Sequence, residues 1–151
     1  MDAILIGLRS IFAYLWIGGL WIAGILVAPV LFQSLPNADA GRVAGKIFQV
    51  MAWIGMFSGA YILLIFFWQL GVKVFSTIEF WVIVLMLMLT CLNHFAIFPI
   101  LSGIKSQMYQ AAEGVFGGGF QSWHTISSAI YLLQSVLGVM FVVREGAVKT
   151  G

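Results

Sequence analysis

Four long apolar runs, separated by short polar segments, constrain this chain more than any other feature. They cover residues of about 4–32, 41–70, 77–104 and 120–143. Each is at least as long as the roughly 20 residues that a helix needs to cross the hydrocarbon core of a bilayer. Backbone groups in lipid must bond to one another, so such runs are helical. The pattern predicts an all-α membrane protein, one domain over residues 1–151, with four transmembrane helices in an antiparallel up-down bundle.

The composition excludes a soluble fold. Hydrophobic residues make up 62% of the chain and charged residues 8%, and the mean hydropathy is +1.08. Soluble proteins have about 25% charged residues. The net charge of +2 is small and the basic residues stand singly, which excludes nucleic acid as a partner. The expected partners are the lipid bilayer and either a second copy or another membrane protein.

The basic residues between the runs predict the orientation. On the side of the termini lie Arg9, Lys73, Arg144 and Lys149, and on the other side lie Arg42, Lys46 and Lys105. The small excess predicts cytoplasmic termini, in a multi-pass protein of the bacterial inner membrane. Arg9 stands within an apolar run, so its guanidinium is expected to extend to the lipid headgroups. The alternative is a charge on an ion pathway.

Two polar breaks in the apolar runs predict a polar centre between helices. His124, Ser127 and Ser128 open the fourth run, whereas Asn93 and His94 stand together in the third. An unpaired polar group in hydrocarbon costs several kcal/mol. These side chains are therefore expected to bond to one another across the two helices.

Pro99 is expected to kink the third helix. Proline removes one backbone hydrogen bond and leaves the carbonyl of Phe95 without its usual donor. A hydroxyl of Ser127 or Ser128 is expected to reach that carbonyl. Residues 105–113 remain good helix formers, so the third helix is predicted to extend beyond the membrane.

Small residues predict close packing of the first two helices. Gly18 and Gly19 lie in the first run, and the second run has glycines at helical spacing: Gly45, Gly55 and Gly59. In lipid the hydrophobic effect does not drive helix association, so close backbone approach at small residues matters more. A dimer interface would use the same pattern, so contact between chains stays open.

One set of soft ligands suggests a metal site as an alternative. Met88, Cys91 and His94 follow one another at three-residue spacing on one helix face, and His124 could add a second imidazole. Thioether, thiolate and imidazole suit copper(I), while two histidines suit haem b. Methionine is also ordinary core filling, and a depth difference of roughly 9 Å separates the two histidines. No cofactor is therefore the first expectation.

Two classes of function follow from these residues. No nucleophile stands beside both a base and an acid that would orient that base, so no enzyme is indicated. The first class is a non-enzymatic bundle, either a structural membrane subunit or a protein that handles a small solute or ion. The second class is a cofactor protein that carries copper or haem and has a redox or metal-handling role.

The sequence also resembles the transmembrane protein 205-like family, a domain of unknown function. The similarity runs over nearly the whole chain. Its carriers are Trp16 through Trp21, Ala28-Pro29-Val30-Leu31-Phe32, Leu35-Pro36, Gly45-Lys46-Ile47-Phe48, Asn93, Pro99 and Phe120-x-x-Trp123-His124-x-x-Ser127-Ser128. The resemblance implies a multi-pass membrane protein with a polar cluster at Asn93, Pro99 and His124, and no established reaction. His94 is not part of the family pattern, and Tyr131 stands where an asparagine is common.

A fainter likeness links the first run to copper-resistance membrane proteins and to four-span haem-binding oxidases of protoporphyrinogen. The shared stretch is Trp16–Leu20. The haem-binding proteins carry a histidine in the first span. This chain has none there and has Arg9 in that region, which weakens the haem alternative.

Overall fold

The computed structural model describes residues 2–107 and 120–150, with backbone alone for 2–3, 37–38, 102, 104–107, 120–124 and 146–150. The described residues are helical except for Leu35, Pro36 and Thr77, and they contain no strand. The helices are α1 (Asp2–Trp21), α2 (Ala28–Ser34), α3 (Asn37–Leu70), α4 (Ile78–Cys91), α5 (Phe98–Gln107) and α6 (Phe120–Thr150). Two π-helical turns, Ile22–Val27 and Leu92–Ile97, join α1 to α2 and α4 to α5, and a 3-10 turn over Gly71–Ser76 follows α3.

Four helical stretches are long and apolar enough to cross a membrane. They are span 1 (Ile4–Ser34), span 2 (Asp39–Ser76), span 3 (Ile78–Leu101) and span 4 (Thr125–Glu145), with mean hydropathies of 2.0 to 2.2. At most 33% of the most apolar window of each span is buried inside the protein. The outer surface therefore carries large apolar side chains such as Trp68 and Phe57, as expected where lipid is the solvent. The all-helical membrane fold predicted from the sequence is confirmed.

Where two consecutive spans touch, the residue numbers rise along one span as they fall along the other. In spans 1 and 2, the Phe12 ring lies 4.8 Å from the Tyr61 ring between centres, and Gly19, farther along, lies against Met51. In spans 3 and 4, Glu79 meets Arg144 and the later Asn93 meets the earlier Ser127. Consecutive spans thus lie antiparallel wherever these contacts join them.

The best-packed core lies in one half of the protein, here called the Arg9 half (residues 4–21, 58–91 and 134–145). Its buried cluster comprises Ala13, Trp16, Ile17, Ile62, Phe66, Val74, Val82, Ile83, Met86 and Phe141. The opposite half is here called the Pro29 half (residues 22–57, 92–107 and 120–133). Among the side chains described there, the buried ones are small or isolated, such as Ala23, Ala44 and Ile97. Packing therefore differs between the two ends of the same helices.

The glycines predicted to pack helices have different surroundings. A Cβ on Gly55 would collide with the indole of Trp16, and one on Gly59 would lie 3.0 Å from the same ring. A Cβ on Gly19 would lie 2.9 Å from the sulfur of Met51. Spans 1 and 2 thus meet where Trp16 occupies a notch in α3. Gly45 instead faces Phe98 of span 3.

Gly18 has no part in this packing. A Cβ built there meets nothing within 4 Å. The indole of Trp16 and the side chain of Met51 already fill the contact between spans 1 and 2, and Gly18 lies on the adjacent face of α1.

Both π-helical turns end just before a proline. Ala28 and Pro29 follow the first turn, whereas Phe98 and Pro99 follow the second. In each case the residue before the proline donates its N–H to the carbonyl five residues back, Ala28 to Ala23 and Phe98 to Asn93. A π turn bends a helix and adjusts its hydrogen bonding around the missing proline N–H. Pro99 was singled out from the sequence, but the matching turn before Pro29 was not.

Candidate functional site: an interior polar row on the last span

One face of α6 carries the polar groups that enter the interior. Its residues alternate four and three positions apart, which places them on one side of a helix. This interior face consists of Ser127, Tyr131, Gln134, Gly138, Phe141 and Glu145. Gln134, Gly138, Phe141 and Glu145 are buried. We call its four hydrogen-bonding members, Ser127, Tyr131, Gln134 and Glu145, the polar row.

Gln134 makes the most deeply buried contact of the row. Its side chain is 4% exposed and that of Thr90 on α4 is 5% exposed. The Gln134 amide nitrogen donates to Thr90 Oγ1 at 2.6 Å and to the carbonyl of Met86 at 3.0 Å. Thr90 Oγ1 donates to that same carbonyl at 2.9 Å. This closed set of bonds joins spans 3 and 4 where neither water nor lipid reaches.

Ser127 and Tyr131 contact the two π turns. Ser127 Oγ donates to Asn93 Oδ1, in the second π turn, at 2.8 Å. The hydroxyl of Tyr131, one helical turn later, donates to the carbonyl of Leu20 at 3.2 Å. Its ring covers Gly24 in the first π turn so closely that a Cβ at Gly24 would collide with it. One turn of α6 therefore bonds to both neighbouring spans at the same level.

The row ends in an ion pair that joins three spans. Arg9 Nη2 lies 2.8 Å from Glu145 Oε1, and the two side chains are 12% and 7% exposed. Arg9 Nη1 donates to Gln69 Oε1 at 3.2 Å, and its guanidinium carbon lies 4.8 Å from the centre of the Phe66 ring. Ser10 Oγ adds a longer contact of 3.4 Å to Glu145 Oε1.

Arg9 thus points inward. The expectation that its guanidinium extends to the headgroups is wrong, because Glu145 supplies a carboxylate within reach of the bundle interior. Beside this pair, Arg144 Nε lies 2.8 Å from Glu79 Oε1 in a more exposed contact between spans 3 and 4. All four spans are therefore joined by polar side chains at the same end.

Of the predicted polar centre, the structure brings Asn93 and Ser127 together. Because Ser127 donates to this side chain, its proton does not go to the carbonyl of Phe95. Ser128 is half-buried. His94 packs among aromatic rings, 5.4 Å from Trp53 between ring centres. The side chain of His124 lies outside the described residues, so its role in the centre remains a prediction.

The candidate metal ligands whose side chains are described do not lie together. Met88 is 64% exposed, Cys91 is a half-buried free thiol, and His94 lies against Trp53 and Phe98. Within the described part of the chain, no three of histidine, cysteine, aspartate and glutamate stand close enough to share an ion. A set that includes His124 remains a prediction.

Gln134, Thr90 and Glu145 were missed by the sequence analysis. A usable signal existed, because Gln134 is an amide deep within the fourth apolar run, seven residues after Ser127 and eleven before Glu145. Both intervals are whole helical turns, so the three residues share one face. A search for polar residues seven or eleven positions apart would have found Ser127, Gln134 and Glu145 on one face, although not Tyr131 or Thr90.

Comparison with known proteins identifies a family but no activity. A family model described as a domain of unknown function (DUF4149) matches residues 11–110. The match takes in span 1 from residue 11 onward and all of spans 2 and 3, and it stops before the polar row. No curated protein and no solved structure matches the chain. Because the matched region is well over half of the 151 residues, the chain belongs to the DUF4149 family of unknown function.

Proposed function

We propose that this chain is a non-enzymatic integral membrane protein that handles a small polar solute or ion along its polar row. The observation that carries this proposal is the extent of the row. From Ser127 to Glu145 it covers 18 residue steps on one interior face, or about 27 Å at the helical rise. This length is close to the ~30 Å of a hydrocarbon core. Polar and ionisable residues inside a membrane commonly mark a solute or ion pathway.

The chemistry of the row indicates a small cargo. Its middle is neutral, with hydroxyl and amide groups, and charge occurs only at the Arg9–Glu145 end. The fully buried Phe141 lies between Gln134 and Glu145 on this face, so an apolar ring separates the neutral polar groups from the charged end of the row. These groups suit a small uncharged polar molecule or a monovalent ion. Ser127 donates to an amide oxygen, which cannot act as a general base, and this supports a non-enzymatic role.

A structural membrane subunit is the second candidate. It is favoured by the observation that Ser127, Tyr131 and Gln134 each bond directly to another span. Bonds of this kind stabilise helix association in membranes by about 1 kcal/mol each. On this hypothesis the row only holds the spans together.

Flux through liposomes separates the two candidates. We expect proteoliposomes to pass protons, potassium ions or glycerol several times faster than empty liposomes, measured with a trapped pH dye and by light scattering. Gln134→Leu should remove this flux, because it replaces the amide in the middle of the row by an apolar side chain of similar size. The matched control is Leu132→Ala, since Leu132 is 63% exposed on the outer face of α6.

Two outcomes count against solute handling. If the wild type passes none of the three probes faster than empty liposomes, the structural candidate is favoured. The same holds if Gln134→Leu lowers the melting temperature but leaves the flux unchanged.

We propose that the protein binds no cofactor. The alternative is that it binds copper or haem b. The residues concerned are Met88, Cys91, His94 and His124. We expect detergent-purified protein to show no Soret band and well under one copper ion per chain. A Soret band or near-stoichiometric copper, lost in a His94→Ala variant, would favour the cofactor class instead.

We further propose the bacterial inner membrane as the location, with cytoplasmic termini. The support is the small excess of basic residues on the side of Arg9, Lys73, Arg144 and Lys149, four against three on the other side. Tryptophan and tyrosine in exposed positions near span ends, such as Trp68 and Trp81, suit an interfacial belt. The bilayer is the expected environment, with a second copy or another membrane protein as the expected partner.

A further inference from the structure

The two π turns are a matched pair. Each is six residues long and each is followed by one residue and then a proline. In each, the residue before the proline bonds five residues back. A proline inside a helix removes a backbone donor, and π turns in helices are frequent at functional positions. Spans 2 and 4 contain no such turn among the described residues.

Both turns lie at one level of the bundle. Tyr131 contacts Leu20 and Gly24 at the first turn, and Ser127, one helical turn away, contacts Asn93 in the second. Spans 1 and 3 run in the same direction, since each is antiparallel to span 4 along these contacts. The breaks in their hydrogen-bond ladders therefore lie side by side, with the same part of α6 against both.

The two turns also lie at the boundary between the Arg9 half and the Pro29 half. Before it, α1 buries Ala13, Trp16 and Ile17, and α4 buries Val82, Ile83 and Met86. Beyond it, α2 contains no buried residue, and neither do those residues of α5 whose side chains are described. The ion pairs Arg9–Glu145 and Glu79–Arg144 also lie on the Arg9 side.

We propose that the two π turns are paired hinges, about which α2 and α5 move relative to a rigid Arg9 half. The bonds Ser127–Asn93 and Tyr131–Leu20 hold the hinges in the observed position. When they break, the two turns are released from Tyr131 and Ser127, and α2 and α5 change their angles to α1 and α4. Neither α2 nor the described side chains of α5 include a buried residue, so this movement disturbs less of the packed core than movement within the Arg9 half would. The proposal does not require the flux proposed above.

Hydrogen–deuterium exchange of the full chain in lipid nanodiscs tests the hinges. We expect amides of residues 24–34 and 94–103 to exchange about tenfold faster than those of residues 44–56, because local opening sets the exchange rate. Residues 44–56 are the matched control, since they lie at the same level in the uninterrupted helix α3. Equal rates in the three segments, within a factor of about two, would overturn the proposal.

Single substitutions assign the movement to each turn. Pro29→Ala restores the missing donor and should slow exchange severalfold in residues 24–34 while leaving 94–103 unchanged. Pro99→Ala should do the reverse, and both prolines are exposed. Ser127→Ala removes the bond to Asn93 and should speed exchange in 94–103 alone, which keeps the test decisive if a proline variant does not fold. Exchange unchanged in all the folded variants contradicts the proposal.

Discussion

Replacing Arg9 with alanine is expected to destabilise the folded protein by about 3 kcal/mol, the order of loss when one partner of a buried ion pair is removed. The variant leaves the Glu145 carboxylate, 7% exposed, without its guanidinium partner. It also removes the hydrogen bond to Gln69 and the contact with the Phe66 ring. Reversible unfolding of the protein in detergent, titrated with a denaturing detergent, measures the change in the free energy of unfolding.

Arg144→Ala is the matched control for Arg9→Ala. Its pair with Glu79 has the same 2.8 Å separation but is more exposed, at 45% and 23%. Pairs of this kind contribute up to about 1 kcal/mol. A double variant, Arg9→Met with Glu145→Met, should recover most of the stability, because an apolar pair leaves no buried charge. Equal losses for Arg9→Ala and Arg144→Ala would show that burial of the Arg9 pair has no energetic consequence.

Alanine at Gly55 and at Gly18 is expected to act in opposite directions. The added methyl group at Gly55 collides with the indole of Trp16, which is 2% exposed and has no room to move. Overpacking of this kind costs typically 1–3 kcal/mol, so Gly55→Ala should lower the free energy of unfolding by about 2 kcal/mol. At Gly18 the methyl group meets nothing within 4 Å. Gly18→Ala should therefore stabilise the helix by about 1 kcal/mol, the difference in helix propensity.

The same unfolding titration tests the glycine pair. A second substitution, Trp16→Phe in the Gly55→Ala background, should recover part of the loss, because the smaller ring makes room for the methyl group. If Gly55→Ala were as stable as Gly18→Ala, the notch that Trp16 occupies in α3 would not be a tight contact in the folded protein.

Much of the fold could be predicted because lipid leaves few choices. A run of some 20 apolar residues in a bilayer has to bond its own backbone, so run length alone predicts the helices. The π turn before Pro29 was missed because the sequence around it is uniformly apolar, whereas Asn93 and His94 drew attention to the turn before Pro99.

The site was harder to predict than the fold. Asn93 and Ser127 were named because each stands in a visible polar break, and they do bond to each other. Gln134 and Thr90 lie within long apolar stretches, and the sequence there does not indicate which neighbouring helix either side chain faces. Glu145 lies at the edge of the polar tail and looks like a solvated residue until Arg9 is found beside it.

Composition and run length were sufficient for the class of protein, the number of spans and their helical state, since these follow from the cost of exposing a peptide group to hydrocarbon. The rotation of each helix about its own axis could be seen only in the folded protein. That rotation turns Arg9 inward to Glu145, places Gly55 rather than Gly18 against Trp16, and brings Gln134 to Thr90. An apolar run is nearly uniform around its circumference, so only the shapes and hydrogen bonds of the neighbouring spans select the face that each helix turns inward.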